Sequence, residues 1–191
     1  NQPTGLSFQG SFATQWDVDT YNIRLTLPAL SGGTEQFWES TQTIEANTHY
    51  VFVLTQNGTA AETVVIQYPA PSSSDTNTLI AATNASTTPV DLYLEPEGAG
   101  IIGAAPRATI GFQELPPQFN VAPGKYEITL TEAGNPANVL LASAAIEFTA
   151  AQPATIVVTP EGNGGTEHFS VMVLRAEARS VLYDRNATAE L

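Results

Sequence analysis

The 191-residue chain is 42% hydrophobic, which is enough for a folded core and argues against global disorder. Acidic residues outnumber basic ones by 19 to 6, and the net charge of −13 disfavours binding to nucleic acid or to anionic membrane surfaces. The sequence contains no cysteine, which excludes disulfides, thiolate metal sites and a cysteine nucleophile, and no apolar run approaches the roughly 20 residues of a membrane span.

Strand-like segments rich in β-branched and aromatic residues follow one another along the chain, each bounded by Gly, Pro, Asn or Ser. They are Tyr21–Leu27, His49–Thr55, Thr63–Tyr68, Val90–Glu95, Lys125–Thr131, Ala154–Thr159 and His168–Leu174. We also predict a strand at Leu140–Phe148, from its position between two strong strands. Because no segment keeps a 3.6-residue period, the sequence predicts an all-β protein.

The chain contains an internal repeat. Tyr21–Thr26 matches Tyr126–Thr131 at a separation of 105 positions (126 − 21). The same separation carries Val51 to Ile156, Val53 to Val158 and Ile66 to Val171. Since an immunoglobulin-like sandwich has about 100 residues, we predict two tandem immunoglobulin-like antiparallel β-sandwich domains, the first lacking leading strands.

The repeat divides the chain into four segments. We assign residues 1–70 to an incomplete first repeat, residues 71–77 to a Pro- and Ser-rich linker, residues 78–176 to a second repeat and residues 177–191 to a C-terminal strand. The surface is poor in charge, and the chain starts at Asn1 rather than at Met. We therefore expect a processed, secreted or cell-surface protein.

Four short motifs follow one another in the second repeat. They are "TNAS" (Thr83–Ser86), "VDLYLE" (Val90–Glu95), "IGF" (Ile110–Phe112) and "APGKYEITL" (Ala122–Leu130). With these motifs, residues 79–174 resemble an exported prokaryotic family known as domain of unknown function 4397. Thr87-Thr88 before Pro89 departs from the family pattern. The resemblance implies a secreted or cell-surface β-sandwich, often repeated, and supplies no catalytic residues.

The sequence contains no pattern typical of an active site. The two histidines, His49 and His168, fall at different repeat positions, and no metalloprotease, nucleophile-elbow or phosphate-loop motif occurs. Asp17 and Asp19 have the spacing of a calcium loop, but the Gly and Glu that an EF-hand needs at its sixth and twelfth positions are missing. We predict no enzyme activity and no cofactor, and either a looser calcium site or a solvated turn at Asp17 and Asp19.

Three N-x-S/T sequences, which mark glycan acceptors in exported chains, occur at Asn57, Asn84 and Asn186. Asn84 and Asn186 follow matching strands, which favours a structural role in closing a turn. Asn57 lies in "TQNGTAAE", where either a glycan or an Asn-Gly hairpin turn accounts for it.

Five aromatic residues cluster in the first repeat. They are Phe8, Phe12, Trp16, Phe37 and Trp38. Exposed aromatics could bind a glycan, but Phe and Trp that alternate along strands more often belong to the core. We therefore predict that these side chains are core residues.

The C-terminal segment repeats the start of the second repeat. Val181-Leu182 matches Leu79-Ile80, and Asn186-Ala187-Thr188 matches Asn84-Ala85-Ser86. The first repeat lacks this leading segment, and a sandwich without a strand exposes an open edge. We predict that residues 181–191 form a strand that pairs with the first sandwich. Its candidate donor-strand residues are Val181, Leu182, Tyr183, Ala187 and Leu191.

Three arrangements of this tail are open: pairing with its own first sandwich, pairing with that of a neighbouring molecule, or a shifted phasing without exchange. Only five residues follow Leu174 before the tail, and they span at most about 18 Å, which favours a neighbour. We therefore expect a filament or pilus subunit joined head-to-tail to other copies of itself by donor-strand complementation. The alternative is a monomeric adhesion module that binds a surface glycan or protein.

Overall fold

The computed structural model describes residues 15–28, 34–57, 60–161, 168–175 and 179–184. Every regular element in these ranges is a β-strand, so the all-β prediction is confirmed. The described ranges contain no helix that is long and apolar enough to cross a membrane. The chain divides between Ala70 and Pro71 into two compact units, at the start of the predicted linker. We call the described residues up to Ala70 the N-terminal unit and those from Pro71 onwards the C-terminal unit.

The N-terminal unit contains two long antiparallel hairpins. Its strands are β1 (Asp19–Pro28), β2 (Thr34–Ile44), β3 (Thr48–Asn57) and β4 (Ala60–Pro69). Strand β1 pairs with β2 and has an irregularity between Leu25 and Thr26, and β3 pairs with β4 along its whole length. The short link between the hairpins turns at Asn47, whose positive φ of 54° is one that Asn tolerates better than most residues.

The C-terminal unit contains ten strands in two sheets. They are β5 (Thr78–Asn84), β6 (Val90–Pro96), β7 (Ala108–Ile110), β8 (Phe119–Val121), β9 (Gly124–Glu132), β10 (Asn135–Ala142), β11 (Ile146–Phe148), β12 (Ala154–Glu161), β13 (His168–Leu174) and β14 (Arg179–Tyr183). One sheet has the order β10-β9-β6-β7, with β11 also paired to β9. The other has the order β14-β13-β12-β5-β8.

The core of the C-terminal unit contains side chains from both sheets. Along each strand the apolar residues alternate, so that Ile128 and Leu130 of β9, like Ile156 and Val158 of β12, point to the same face. All four are fully buried, together with Leu92 and Leu94 of β6 and Ile80 of β5. Each such side chain contributes roughly 1.5–3 kcal/mol when it leaves water, which makes this cluster the main source of stability in the unit.

The segment predicted as one strand over Leu140–Phe148 is divided in the structure. Strand β10 ends at Ala142 and β11 begins at Ile146. Between them the Ser143 backbone N–H donates to the Ile128 carbonyl at 2.9 Å, and the Ser143 hydroxyl accepts from the Ile128 N–H at 3.0 Å. The serine side chain therefore takes the place of a backbone acceptor, and the strand is interrupted there.

The predicted pairing of the tail is not what the structure shows within one chain. Residues Arg179–Tyr183 form β14, which pairs antiparallel with β13 of the C-terminal unit, from Leu174↔Arg179 to Ser170↔Tyr183. Leu182 packs against the core of the same unit. The reason is local, because only four residues separate β13 from β14. A short connection of this kind loses the least conformational entropy when the chain turns back and pairs with the adjacent strand.

Candidate strand-acceptor site

A tyrosine bond recurs in both units. The Tyr21 hydroxyl donates to the Asp17 carbonyl at 3.1 Å, and the Tyr126 hydroxyl donates to the Ala122 carbonyl at 3.0 Å. Both bonds reach back four residues, and each member is displaced by the same 105 positions (122 − 17 and 126 − 21). A tyrosine bonded to upstream backbone at the start of a strand is a recurrent device of β-sandwiches. The shared hydrogen bond supports the repeat. The sequence comparison showed that the two tyrosines match, but it did not predict their bonds to the backbone.

The strands of the two units correspond through this repeat. By the 105-residue displacement β1 corresponds to β9, β2 to β10 and β11, β3 to β12, and β4 to β13. The pairing in one hairpin differs, because Val53 lies opposite Val64 whereas Val158 lies opposite Val171. Ile66 and Val171, which the sequence predicts to correspond, are both buried. Their partners on the neighbouring strand, however, differ by two residues between the units. A two-residue displacement keeps each side chain on its face.

The units differ at two strand edges. In the C-terminal unit β12 pairs in parallel with β5, which sets Ala82 beside Ile156. Strand β9 likewise pairs antiparallel with β6, which sets Leu94 beside Ile128. Within the described part of the N-terminal unit, no strand pairs with the corresponding edge of β3 or of β1. Such edges present a row of backbone N–H and C=O groups that can pair with an added strand. We call these two edges together the acceptor site.

Side chains next to these edges are less buried in the N-terminal unit than at the corresponding positions of the C-terminal unit. Ile128 and Ile156 are fully buried, whereas Ile23 and Val51 at the corresponding positions are only half-buried. The isoleucine pair is the clearest case, because the side chain and the strand position are the same in both units. The acceptor site therefore has half-buried apolar side chains beside backbone edges that no strand of the described residues covers.

Trp16 differs strongly in solvent exposure from its counterpart in the C-terminal unit. It is 41% exposed, whereas Val121, displaced by 105 positions (121 − 16), is 5% exposed and lies opposite Thr78 of β5. The predicted core position is therefore wrong for Trp16. Its ring lies 5.1 Å from the Tyr21 ring and 6.4 Å from the Phe52 ring, measured between centroids. An aromatic cluster of exposed Trp16 and half-buried Tyr21 and Phe52 thus lies in the unit that carries the acceptor site.

The other predicted aromatic core residues divide into two groups. Trp38 is half-buried, with its ring centroid 6.1 Å from that of Phe52. Phe8 and Phe12 lie outside the described residues, as does the side chain of Phe37. Strand β3 is joined to the β1–β2 hairpin by the ring contact of Phe52 and by the Tyr50 hydroxyl, which donates to the Thr43 carbonyl at 3.1 Å.

Asn84 closes the corner between β5 and β6. Its Nδ2 donates to the carbonyls of Thr88 at 2.8 Å and Ile110 at 3.1 Å, and its Oδ1 accepts from the Ser86 N–H at 2.8 Å. The side chain is fully buried, so the nitrogen that would carry a glycan is already used inside the fold. This geometry favours the structural role. The side chain of Asn57 and all of Asn186 lie outside the described residues.

Asp91 gives β6 a second polar anchor. It is buried, and it accepts hydrogen bonds from the Thr109 hydroxyl and from the Gly134 N–H, the latter at 2.8 Å. The Gly134 bond ties β6 to the turn between β9 and β10. In that turn, hydrogen bonds from Asn138 and Asn135 lower the pKa of Glu132. Asp91 therefore joins β6 both to β7 and to the turn that follows β9.

The structure does not bring the predicted histidines and aspartates together. The His49 ring stacks on the Tyr68 ring at 5.5 Å, and His168 is exposed at the start of β13. Asp17 and Asp19 are exposed, and Asp19 accepts from the Thr20 N–H at 2.7 Å. No group of three or more His, Asp or Glu side chains placed to hold a metal ion occurs within the described ranges.

The predicted donor-strand residues divide at the end of β14. Val181 and Leu182 are half-buried in the C-terminal unit, and Tyr183 is exposed. Ala187 and Leu191 lie outside the described residues.

The comparisons with known proteins add no relative. No protein-family model matches the chain, and no curated protein matches it. The differences between the two units of the chain are therefore the main indication of function.

Proposed function

We propose that this chain is a structural subunit of an extracellular or cell-surface filament whose subunits are joined head-to-tail by donor-strand complementation. The N-terminal unit is the acceptor, and a neighbouring molecule supplies the strand. The observation that carries the proposal is the pair of strand edges, on β1 and β3, that correspond to edges covered by β6 and β5 in the C-terminal unit.

Two further features support this role. The low content of charged residues, 13%, and the resemblance of residues 79–174 to an exported domain family are both expected of a surface protein, and the family consists of β-sandwiches that are often repeated. An acceptor and a donor on different surfaces of a subunit form a heterologous contact, which propagates into a fibre when it does not close.

The test is electron microscopy of native filaments from cells that express this chain. Leu54 is on β3 and exposed, and a lysine at an edge strand opposes strand addition. We expect Leu54→Lys to abolish filaments. The matched control is Val139→Lys, which makes the same kind of change at an exposed position on β10, a strand that is not part of the acceptor site. Native filaments with no added strand along β3, or filaments that persist in Leu54→Lys, would overturn the proposal.

A second candidate function is glycan binding by a monomeric surface module. The observation that favours it is the exposed ring of Trp16 beside Tyr21 and Phe52, because sugars stack on exposed aromatic faces. Under this proposal Trp16→Ala eliminates binding on a glycan array. Tyr183→Ala, which removes an exposed aromatic from β14, leaves binding unchanged.

A further inference from the structure

The connection between β6 and β7, residues 97–107, presents an apolar tip to solvent. No charged side chain occurs between Gly98 and Pro106. Ile102 at the tip is fully exposed, and it is the most exposed of the large apolar residues that the structure describes. A single exposed apolar residue is common on protein surfaces, so its exposure alone does not indicate a contact.

The backbone of this loop has a defined conformation that presents the tip. Gly100 and Gly103, on either side of Ile101 and Ile102, have positive φ values of 67° and 77°, and a Cβ on either glycine would meet no atom within 4 Å. Glycine is therefore needed there for its conformation and not for lack of space. The Ala104 N–H donates to the Ile101 carbonyl at 3.0 Å and closes the turn at the tip.

The base of the loop lies beside an unpaired lysine. The Glu97 N–H donates to the Lys125 carbonyl at 3.0 Å. Lys125 is exposed, and its side chain makes no ion pair or hydrogen bond with the described residues, although Glu147 of β11 lies opposite it. In a chain with a net charge of −13, an unpaired cation beside an apolar tip favours a partner surface that is apolar and acidic.

The N-terminal unit has a surface of this chemistry. In the segment Trp16–Asp19 two exposed apolar residues, Trp16 and Val18, alternate with two exposed aspartates. The Trp16 ring belongs to the aromatic cluster described above. The Asp17 side chain makes no ion pair or hydrogen bond with the described residues. We call the exposed side chains of residues 16–19 the Trp16 surface.

We infer that the β6–β7 loop of one copy docks on the Trp16 surface of a second copy, with Ile102 against the Trp16 ring and Lys125 beside Asp17. An anionic lipid surface fits the loop less well, because it repels a chain with 19 acidic and 6 basic residues. The loop and the Trp16 surface belong to different units, so the contact is heterologous and repeats from copy to copy. It goes beyond the proposed function, because it uses no open strand edge.

The contact is weak. A loop tip buries far less than the roughly 1,200 Å² of a stable interface, so we expect a dissociation constant on the order of 0.1–1 mM. The test is a mixture of two variants, neither of which associates with itself through this contact. The first is isotope-labelled Ile102→Asp, which keeps the Trp16 surface, and the second is unlabelled Trp16→Ala, which keeps the loop.

Nuclear magnetic resonance measures the docking at the tryptophan itself. The chain has two tryptophans, so Trp16 gives one of two indole N–H signals in the labelled variant. We expect that signal to shift and to saturate as Trp16→Ala is added to millimolar concentration. The loop lies in the C-terminal unit, so the Trp16→Ala chain supplies it whatever the substitution does to its own N-terminal unit.

Two controls isolate the loop. An unlabelled chain with both Trp16→Ala and Ile102→Asp should cause no shift. An unlabelled chain with Trp16→Ala and Leu115→Asp makes the same kind of change at an exposed residue that follows β7, and should shift the signal as fully as Trp16→Ala alone.

A charge exchange tests the pairing of Lys125 with Asp17. Adding Lys125→Asp to the unlabelled chain should weaken binding by about threefold, a small factor because exposed ion pairs contribute little. Adding Asp17→Lys to the labelled chain as well should restore the binding.

The outcomes separate this inference from the proposed function. No shift at millimolar concentration, or an equal shift with the control that carries Ile102→Asp, would overturn the inference. Binding of the intact chain to phosphatidylcholine vesicles that Ile102→Asp eliminates, without a shift in the mixture, would overturn it too and assign the loop to a lipid surface. Native material without filaments would overturn the proposed function and leave this contact standing, because the mixture measures it directly.

Discussion

Ile23 and Ile128 are the same residue at corresponding positions of corresponding strands, and the structure treats them differently. Ile128 lies beside Leu94 of β6 and is fully buried, whereas Ile23 is half-buried on a strand whose matching edge has no partner among the described residues. The corresponding residues Trp16 and Val121 differ in the same way, since Trp16 is exposed and Val121 is buried. The comparison teaches that the leading segment buries the strands it pairs with, and that β1 and β3, which have no such partner among the described residues, keep their hairpin pairing and their tyrosine bond but leave apolar side chains partly exposed.

The largest expected effect comes from the isoleucine pair. Ile128→Ala should lower the free energy of unfolding of the C-terminal unit by about 4 kcal/mol, because it leaves a cavity in a closed core. Ile23→Ala should cost the N-terminal unit about 1 kcal/mol, because a half-buried side chain loses less on truncation. Chemical denaturation followed by circular dichroism measures the first, and tryptophan fluorescence measures the second. Equal losses would remove the distinction between the two units.

A smaller but still large effect is expected at the corner of the leading segment. Asn84→Ala should destabilise the C-terminal unit by about 3 kcal/mol, because the carbonyls of Thr88 and Ile110 and the Ser86 N–H lose their partner. Asn120→Ala is a suitable control, since Asn120 is exposed on β8. The denaturation midpoint of each variant, followed by circular dichroism, makes the comparison. A loss at Asn84 no greater than that at Asn120 would show that the corner does not hold β5 and β6 together.

The two tyrosines test what the units share. Tyr21→Phe and Tyr126→Phe each remove one hydrogen bond to a backbone carbonyl and should each cost about 1 kcal/mol. The denaturation midpoint of the unit that carries each change gives the value. A clear loss in one unit and none in the other would mean that the bonds are not equivalent parts of a repeat.

The smallest effect concerns the turn before β12. Ala151 has a positive φ of 57°, a conformation that costs a residue with a Cβ about 1 kcal/mol relative to glycine. Ala151→Gly should therefore raise the denaturation midpoint of the C-terminal unit slightly. An unchanged or lowered midpoint would show that the added flexibility of the unfolded chain outweighs the relief of strain.

Alternation and turn residues were sufficient to predict most long strands, since Ile128 and Leu130 or Ile156 and Val158 mark one face of a strand in the sequence itself. The break at Ser143 was not predictable, because it depends on a bond to Ile128, a residue distant in sequence. The pairing of β14 with β13 was missed because the match of the tail to Leu79–Ser86 was weighed above the short connection. The carboxylate of Asp184 at the position of Ala82 was the signal against that match.

The acceptor site was only partly visible in the sequence. The alignment predicted a first repeat without leading strands, and it also predicted the structural role of Asn84. The exposure of Trp16 did not, because aromatic residues in a strand-rich region usually indicate a core, and only the contrast with Val121 shows what is different. The sheet order, which places β5 and β6 in different sheets, could not be predicted from the sequence.

Backbone hydrogen exchange, resolved residue by residue by nuclear magnetic resonance on the monomeric chain, tests the open edges most directly. Successive N–H groups of a strand point to opposite edges, so a strand paired on both sides protects every amide and a strand paired on one side protects every second amide. We predict continuous protection from Tyr126 to Glu132 of β9 and from Thr155 to Val158 of β12, where both edges have partners, and alternating protection along β1 and β3, with every second amide exchanging at least 100-fold faster. Continuous protection along β1 and β3 would contradict the account, because it would mean that their second edges are already paired.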